Sequence, residues 1–126
     1  MLGRKDDEVV RALGAFGGGL GGNGEVCGAL VGALGVLGLR FSRAREEEKE
    51  DPRMWAHCRE VQERFRKEIV PNHEGIRCRE IARVDWQDRD QVRAFYRGEK
   101  VLECGRIVGD TARLLYELLE RASGGI

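Results

Sequence analysis

Six of the eight residues 17–24 are glycine, in the order Gly17-Gly18-Gly19-Leu20-Gly21-Gly22-Asn23-Gly24. No other segment constrains the fold as strongly. Glycine loses more backbone freedom on ordering than any other residue, so neither a helix nor a strand is expected from this run. It is read as a loop that turns sharply or lets another part of the chain come very close. Residues 25–40 follow it and are apolar nearly all round, which predicts a central helix. Gly28, Gly32, Gly35 and Gly38 recur there every three or four positions. Each weakens a helix by ~1 kcal/mol relative to alanine. Close approach of a neighbouring helix backbone is the expected compensation. A strand is the weaker reading, because the small residues keep the helical period.

The same periodicity predicts helices elsewhere. Residues 6–16 carry Val9, Val10, Leu13 and Phe16 on one face. Residues 42–51 are a charged connector, read as a solvated helical extension or a linker. Asp51-Pro52 is a helix start, and the helix it opens runs to about Ile69. Its buried stripe should be Met54, Cys58, Val61, Phe65 and Ile69. Residues 71–75 break it. A short helix is read over 76–84 and a short helix or turn over 88–97. A final helix is read over 99–122, with Val101, Cys104, Val108, Ala112, Leu115 and Leu119 inward. The fold class is therefore all-α: a compact helical bundle with a glycine-rich central helix, in one domain spanning 1–126.

Lys+Arg and Asp+Glu are both 22, so the formal charge is zero. This argues against nucleic acid as a partner, since such binding is driven by phosphate neutralisation. The longest uncharged apolar run, 26–39, is shorter than the ~20 residues needed to cross a bilayer. No membrane insertion is expected. Residues 1–8 turn acidic at once and lead into no apolar signal region, so a cytoplasmic location is the expectation. There the four cysteines would be thiols: catalytic, metal-binding or simply buried, rather than a disulfide framework.

Cys58 falls on a buried stripe, where a free cysteine behaves as a small hydrophobe. Cys27 falls in the first turn of the glycine-rich helix, where the helix dipole favours thiolate. Glu25 partly opposes this. Cys78 falls near the start of the short helix after Gly75, and Cys104 on the inward stripe of the last helix. No CxxC, CxxCH, P-loop or HExxH pattern occurs, and the glycine run lacks the strand–loop–helix setting of a nucleotide fingerprint. His57 and His73 are candidate partners in a Cys/His metal site, though such histidines are more often surface or loop residues. Trp55 and Trp86 are expected at the core edge, each with its N–H near a partner, and Tyr96 and Tyr116 are read likewise.

The stretch from Phe16 to Ala33, with Cys27-Gly28-Ala29-Leu30-Val31-Gly32 inside it, resembles the family labelled by its cysteine pattern, C_GCAxxG_C_C, a family of redox-active proteins. Phe65, Cys78-Arg79-Glu80 and Cys104 with Val108, Ala112 and Glu117 are similar to its later segments and follow in the same order. The family pattern also has a cysteine upstream of the glycine loop. No cysteine precedes Cys27 here, and Cys58 is additional.

The resemblance implies a thiol-based redox or electron-handling protein using Cys27, Cys78 and Cys104. Cys27 would be the more reactive thiolate, and Cys78 or Cys104 would resolve it as a disulfide. A helical chain of this size should offer one core for all three to enter. Two alternatives stay open. In one, Cys27, Cys78 and Cys104, with Cys58 or His73, hold zinc or an iron–sulfur centre. In the other, the chain is a helical interaction module with structural cysteines. The expected partner is a redox partner, and a homodimer is a further arrangement the sequence admits.

Overall fold

The computed structural model describes residue 3 and residues 5–124. Six α-helices follow one another: α1 (Asp7–Gly14), α2 (Gly28–Phe41), α3 (Met54–Arg64), α4 (Cys78–Ile81), α5 (Arg89–Arg97) and α6 (Lys100–Gly124). A π-helical turn (Phe65–Ile69) continues α3. Among the described residues there is no strand. An antiparallel bridge pairs Val26 with Arg77. No described helix is long and apolar enough to cross a membrane.

Local chemistry sets the helix ends. The Asp6 carboxylate accepts from the N–H groups of Glu8 and Val9 at 3.1 and 3.2 Å, and Asp88 does the same for Asp90 and Gln91. Both are ordinary N-caps, each worth ~1 kcal/mol. α2 starts three residues later than its pattern predicts. Residues Glu25 and Cys27 are held instead by the bridge, through Cys78 N–H to Glu25 O at 2.6 Å and Cys27 N–H to Ile76 O at 2.8 Å. A long-range pairing overrides local helix preference there. The connector after α2 is turns and bends rather than helix, and Asp51 N–H donates to Phe41 O at 2.9 Å to close it.

α2 packs on α3 and α6. Leu30, Leu37 and Phe41 of α2 meet Val61, Phe65, Ile107 and Leu118, all fully enclosed. Arg121 of α6 reaches Glu60 of α3 at 2.7 Å. The inward stripe of α6 is turned relative to its predicted one. Ile107, Thr111, Leu114, Leu115, Leu118, Leu119 and Ala122 are buried, whereas Val108 is 57% exposed and Ala112 is exposed. The polar member is tolerated because the Thr111 hydroxyl donates to Ile107 O at 2.7 Å, which satisfies it within its own helix.

The glycines of α2 do not mark a close helix crossing. A Cβ on Gly28 would meet the Phe16 carbonyl at 3.0 Å, so the glycine loop, not a helix, approaches there. Gly35 faces the Leu13 methyls at 3.2 Å, which is how α1 touches α2. Gly32 and Gly38 have nothing within 4 Å. Gly32 instead lines an open apolar groove of about 410 Å³ between α2 and α6. No residue of α1 is buried, and Val10 on its apolar face is 65% exposed.

There are also two hydrophobic clusters rather than one core. Cys78, Ala82, Val84 and Phe95 form a second, smaller one, with Trp86, Val92, Val101 and Cys104 against it. Trp55 lies on the surface with its N–H on Glu50 at 2.8 Å, and Tyr96 and Tyr116 are exposed.

Candidate functional site

The two clusters meet where the glycine loop folds over the Val26–Arg77 bridge. The loop reaches this shape through left-handed backbone at Gly18, Gly19, Gly21, Gly22 and Gly24, and also at Leu20. Gly19 is the tightest point. A Cβ there would lie 2.6 Å from the Glu25 amide nitrogen and carbonyl oxygen and 2.7 Å from Cys78 Cβ. No other residue fits. Glu25 N–H donates to Gly19 O at 2.9 Å and Gly24 N–H to Gly18 O at 3.0 Å.

Arg79 fastens the loop from the other side. Its guanidinium donates to Gly24 O at 3.0 Å, Asn23 O at 2.9 Å and the Glu25 carboxylate at 2.8 Å. Glu80 accepts from Arg77 N–H at 3.2 Å and so steadies the start of α4. The Cys-Arg-Glu segment thus supplies a thiol, a clamp and a cap in three consecutive residues.

Cys27 is the residue before α2, and Cys78 is the first of α4. In an antiparallel pairing, residues on either side of a bridged pair share a face. Cys27 and Cys78 therefore stand diagonally across the Val26–Arg77 pair, on the same side. Cys78 is buried, and Trp86 Nε1 donates to its Sγ at 3.4 Å. Cys104 lies on α6, half-buried against the second cluster. All four cysteines are free thiols.

Burial pushes the Cys27 thiol up. The N–H groups of Ala29 and Leu30 pull the other way, and the charge of Cys78 adds to the rise. Those N–H groups lie near enough to favour an ionised sulfur, although Cys27 makes no capping hydrogen bond. At Cys27 burial outweighs the helix N-terminus. Cys104 is pushed up to about 11 by burial and by the charges of Cys78, Cys27 and Glu103. Cys27, Cys78 and Cys104 thus form one electrostatic neighbourhood. Cys58 does not belong to it. Burial raises its thiol and Arg59 partly offsets this, with no other cysteine involved.

The metal reading does not find its ligands. Among the described residues, no three His, Cys, Asp or Glu side chains come together so as to hold a metal ion. Three neighbouring thiols are not by themselves a tetrahedral set. His73 Nε2 is taken by Glu103 at 2.8 Å. His57 stacks on Phe41 at 4.8 Å between centroids.

Two contributors escaped sequence reasoning. Trp86 has no spacing that ties it to Cys78; only tertiary packing joins them. Arg79 was legible as part of a motif but not as the clamp of the glycine loop.

A family model described as "Putative redox-active protein (C_GCAxxG_C_C)" matches residues 1–118. No curated protein and no solved structure matches the chain.

Proposed function

The chain belongs to the C_GCAxxG_C_C family of redox-active proteins, and from that premise we propose that it exchanges thiols for disulfides through Cys27 and Cys78. The observation that carries this reading is the Val26–Arg77 bridge, which sets both cysteines on one face. Cys78 attacks first. Its sulfur accepts the Trp86 N–H at 3.4 Å, a contact that strengthens as negative charge gathers on the acceptor.

The steps balance with a disulfide, R–S–S–R, as the oxidant. The Cys78 thiolate attacks one of its sulfurs, the S–S bond breaks and one thiolate leaves. Cys78 is then joined to R–S and has lost its charge. That charge was one of the causes holding the Cys27 thiol up, so Cys27 ionises more easily once Cys78 is bonded. It attacks the Cys78 sulfur and expels the second thiolate. Two protein thiols become one disulfide, and R–S–S–R becomes two R–SH. Diagonal partners across a bridge lie about 7–8 Å apart at Cα, and a disulfide needs about 4.4–6.8 Å. Closing the bond draws the two segments together slightly.

The test is peptide mapping under non-reducing conditions after treating reduced protein with oxidised dithiothreitol. A Cys27–Cys78 crosslink is expected, with Cys58 and Cys104 still open to alkylation. A crosslink through Cys104, or none within the chain, would overturn the assignment.

A further inference from the structure

Trp86 lines two hollows. One is a cavity of about 380 Å³ walled by the glycine loop, Arg79, Arg83, Asp85, Trp86 and Gln87. The other is an open hollow of about 460 Å³ bounded by Arg89, Val92 and Arg93. The indole whose N–H reaches Cys78 Sγ at 3.4 Å therefore also forms part of the wall of both hollows. The first hollow falls in the size range of small-molecule sites.

Its charged groups differ in how far they are committed. Arg79 is used up on the loop carbonyls and Glu25. Arg83 is not. Among the described residues its guanidinium makes neither an ion pair nor a hydrogen bond. Its backbone sits at φ 54°, in the left-handed region, and Lys100 Nζ donates to its carbonyl at 3.1 Å. This left-handed turn ends α4, with the Arg83 N–H reaching Cys78 O at 3.4 Å, and Arg83 lies at the cavity wall. Asp85, two residues on, accepts from Gln87 N–H at 3.0 Å and has no cationic partner among the described residues. One unpaired guanidinium and one carboxylate without a cationic partner among the described residues thus line the same small cavity.

We infer that this cavity binds the zwitterionic amino-acid end of a low-molecular-weight disulfide, its carboxylate on Arg83 and its ammonium on Asp85, and presents the disulfide to Cys78 past Trp86. An arginine fork matches a carboxylate in two parallel hydrogen bonds. Arg79, committed to the glycine loop, lines the same cavity. The inference rests on Cys78 as the attacking thiol and supplies the class of disulfide that the exchange consumes.

The experiment uses the full chain with Trp55→Phe, which leaves Trp86 as the one indole. Reduced glutathione, which cannot oxidise the thiols, is titrated while Trp86 fluorescence is read. A saturable change is expected, weakened about tenfold or more by Arg83→Gln and also weakened by Asp85→Asn. 2-Mercaptoethanol, which has no charged end, should give no saturable change. A kinetic arm compares oxidation by glutathione disulfide and by bis(2-hydroxyethyl) disulfide. The preference for the first should fall about tenfold or more in Arg83→Gln. An absent fluorescence change, or one indifferent to Arg83, would overturn the cavity assignment even if both disulfides oxidise the protein. Saturable, Arg83-dependent binding without oxidation by either disulfide would uphold the cavity and overturn the thiol exchange.

Discussion

Trp86 and Cys78 are joined by an N–H···S hydrogen bond of 3.4 Å, and the same indole packs edge-on against Phe95 at 5.1 Å. It is at once a wall of the smaller hydrophobic cluster and the cover of its thiol. Removing the ring and removing only the N–H should therefore have separable effects.

Trp86→Ala should expose Cys78 and raise its alkylation rate by iodoacetamide severalfold, with a stability loss of ~2–4 kcal/mol from the lost packing. Trp86→Phe keeps most of the ring volume and should lose ~0.5–1.5 kcal/mol, the ordinary worth of a hydrogen bond. Urea titrations and timed alkylation with peptide mapping would measure both.

Two glycines should respond to alanine with opposite sign. Gly19→Ala forces a Cβ against Glu25 and Cys78 at φ 74° and should destabilise by more than ~2 kcal/mol. Gly32→Ala meets nothing within 4 Å inside a helix and should stabilise by ~0.5–1 kcal/mol. Denaturation midpoints of the two variants against the parent provide the check.

Cys58→Ala should leave the Cys27–Cys78 chemistry intact, because Cys58 shares no electrostatic neighbourhood with the other thiols. The packing loss should be ~1 kcal/mol or less for so small a truncation at a half-buried site. Loss of oxidation by glutathione disulfide in this variant would show Cys58 to be part of the couple.

Alkaline pH should weaken the fold through Cys104. Its thiol loses its proton near the ordinary 9.0 in the unfolded chain and at about 11 in the folded one. Below 9 both states keep the proton and nothing changes. Between 9 and 11 the unfolded state releases it first, so stability falls as pH rises. Urea midpoints at pH 8, 9.5 and 11 should decline, and Cys104→Ala should flatten part of the slope.

The helices and the glycine loop were legible because period and glycine density act locally. The inward face of α6 was not, because Thr111 reads as polar until its hydroxyl is seen bonded to Ile107 O. The start of α2 was misread for a different reason. Glu25 and Cys27 are recruited by Ile76 and Cys78, and nothing near residue 25 announces a partner so distant. The candidate thiols were identifiable one by one. Their arrangement was not, since it depends on two clusters meeting at a seam.

The clamp between Arg79 and Gly24 joins positions 55 apart in the chain. Contacts of that span are reached late, after the intervening helices have shortened the path between their ends. A chain still being synthesised presents Cys27 and Cys58 before Cys78 has emerged. Under the proposed exchange, a Cys27–Cys78 crosslink would therefore mark a chain that folded before it was oxidised, and a Cys27–Cys58 crosslink one oxidised before folding was complete.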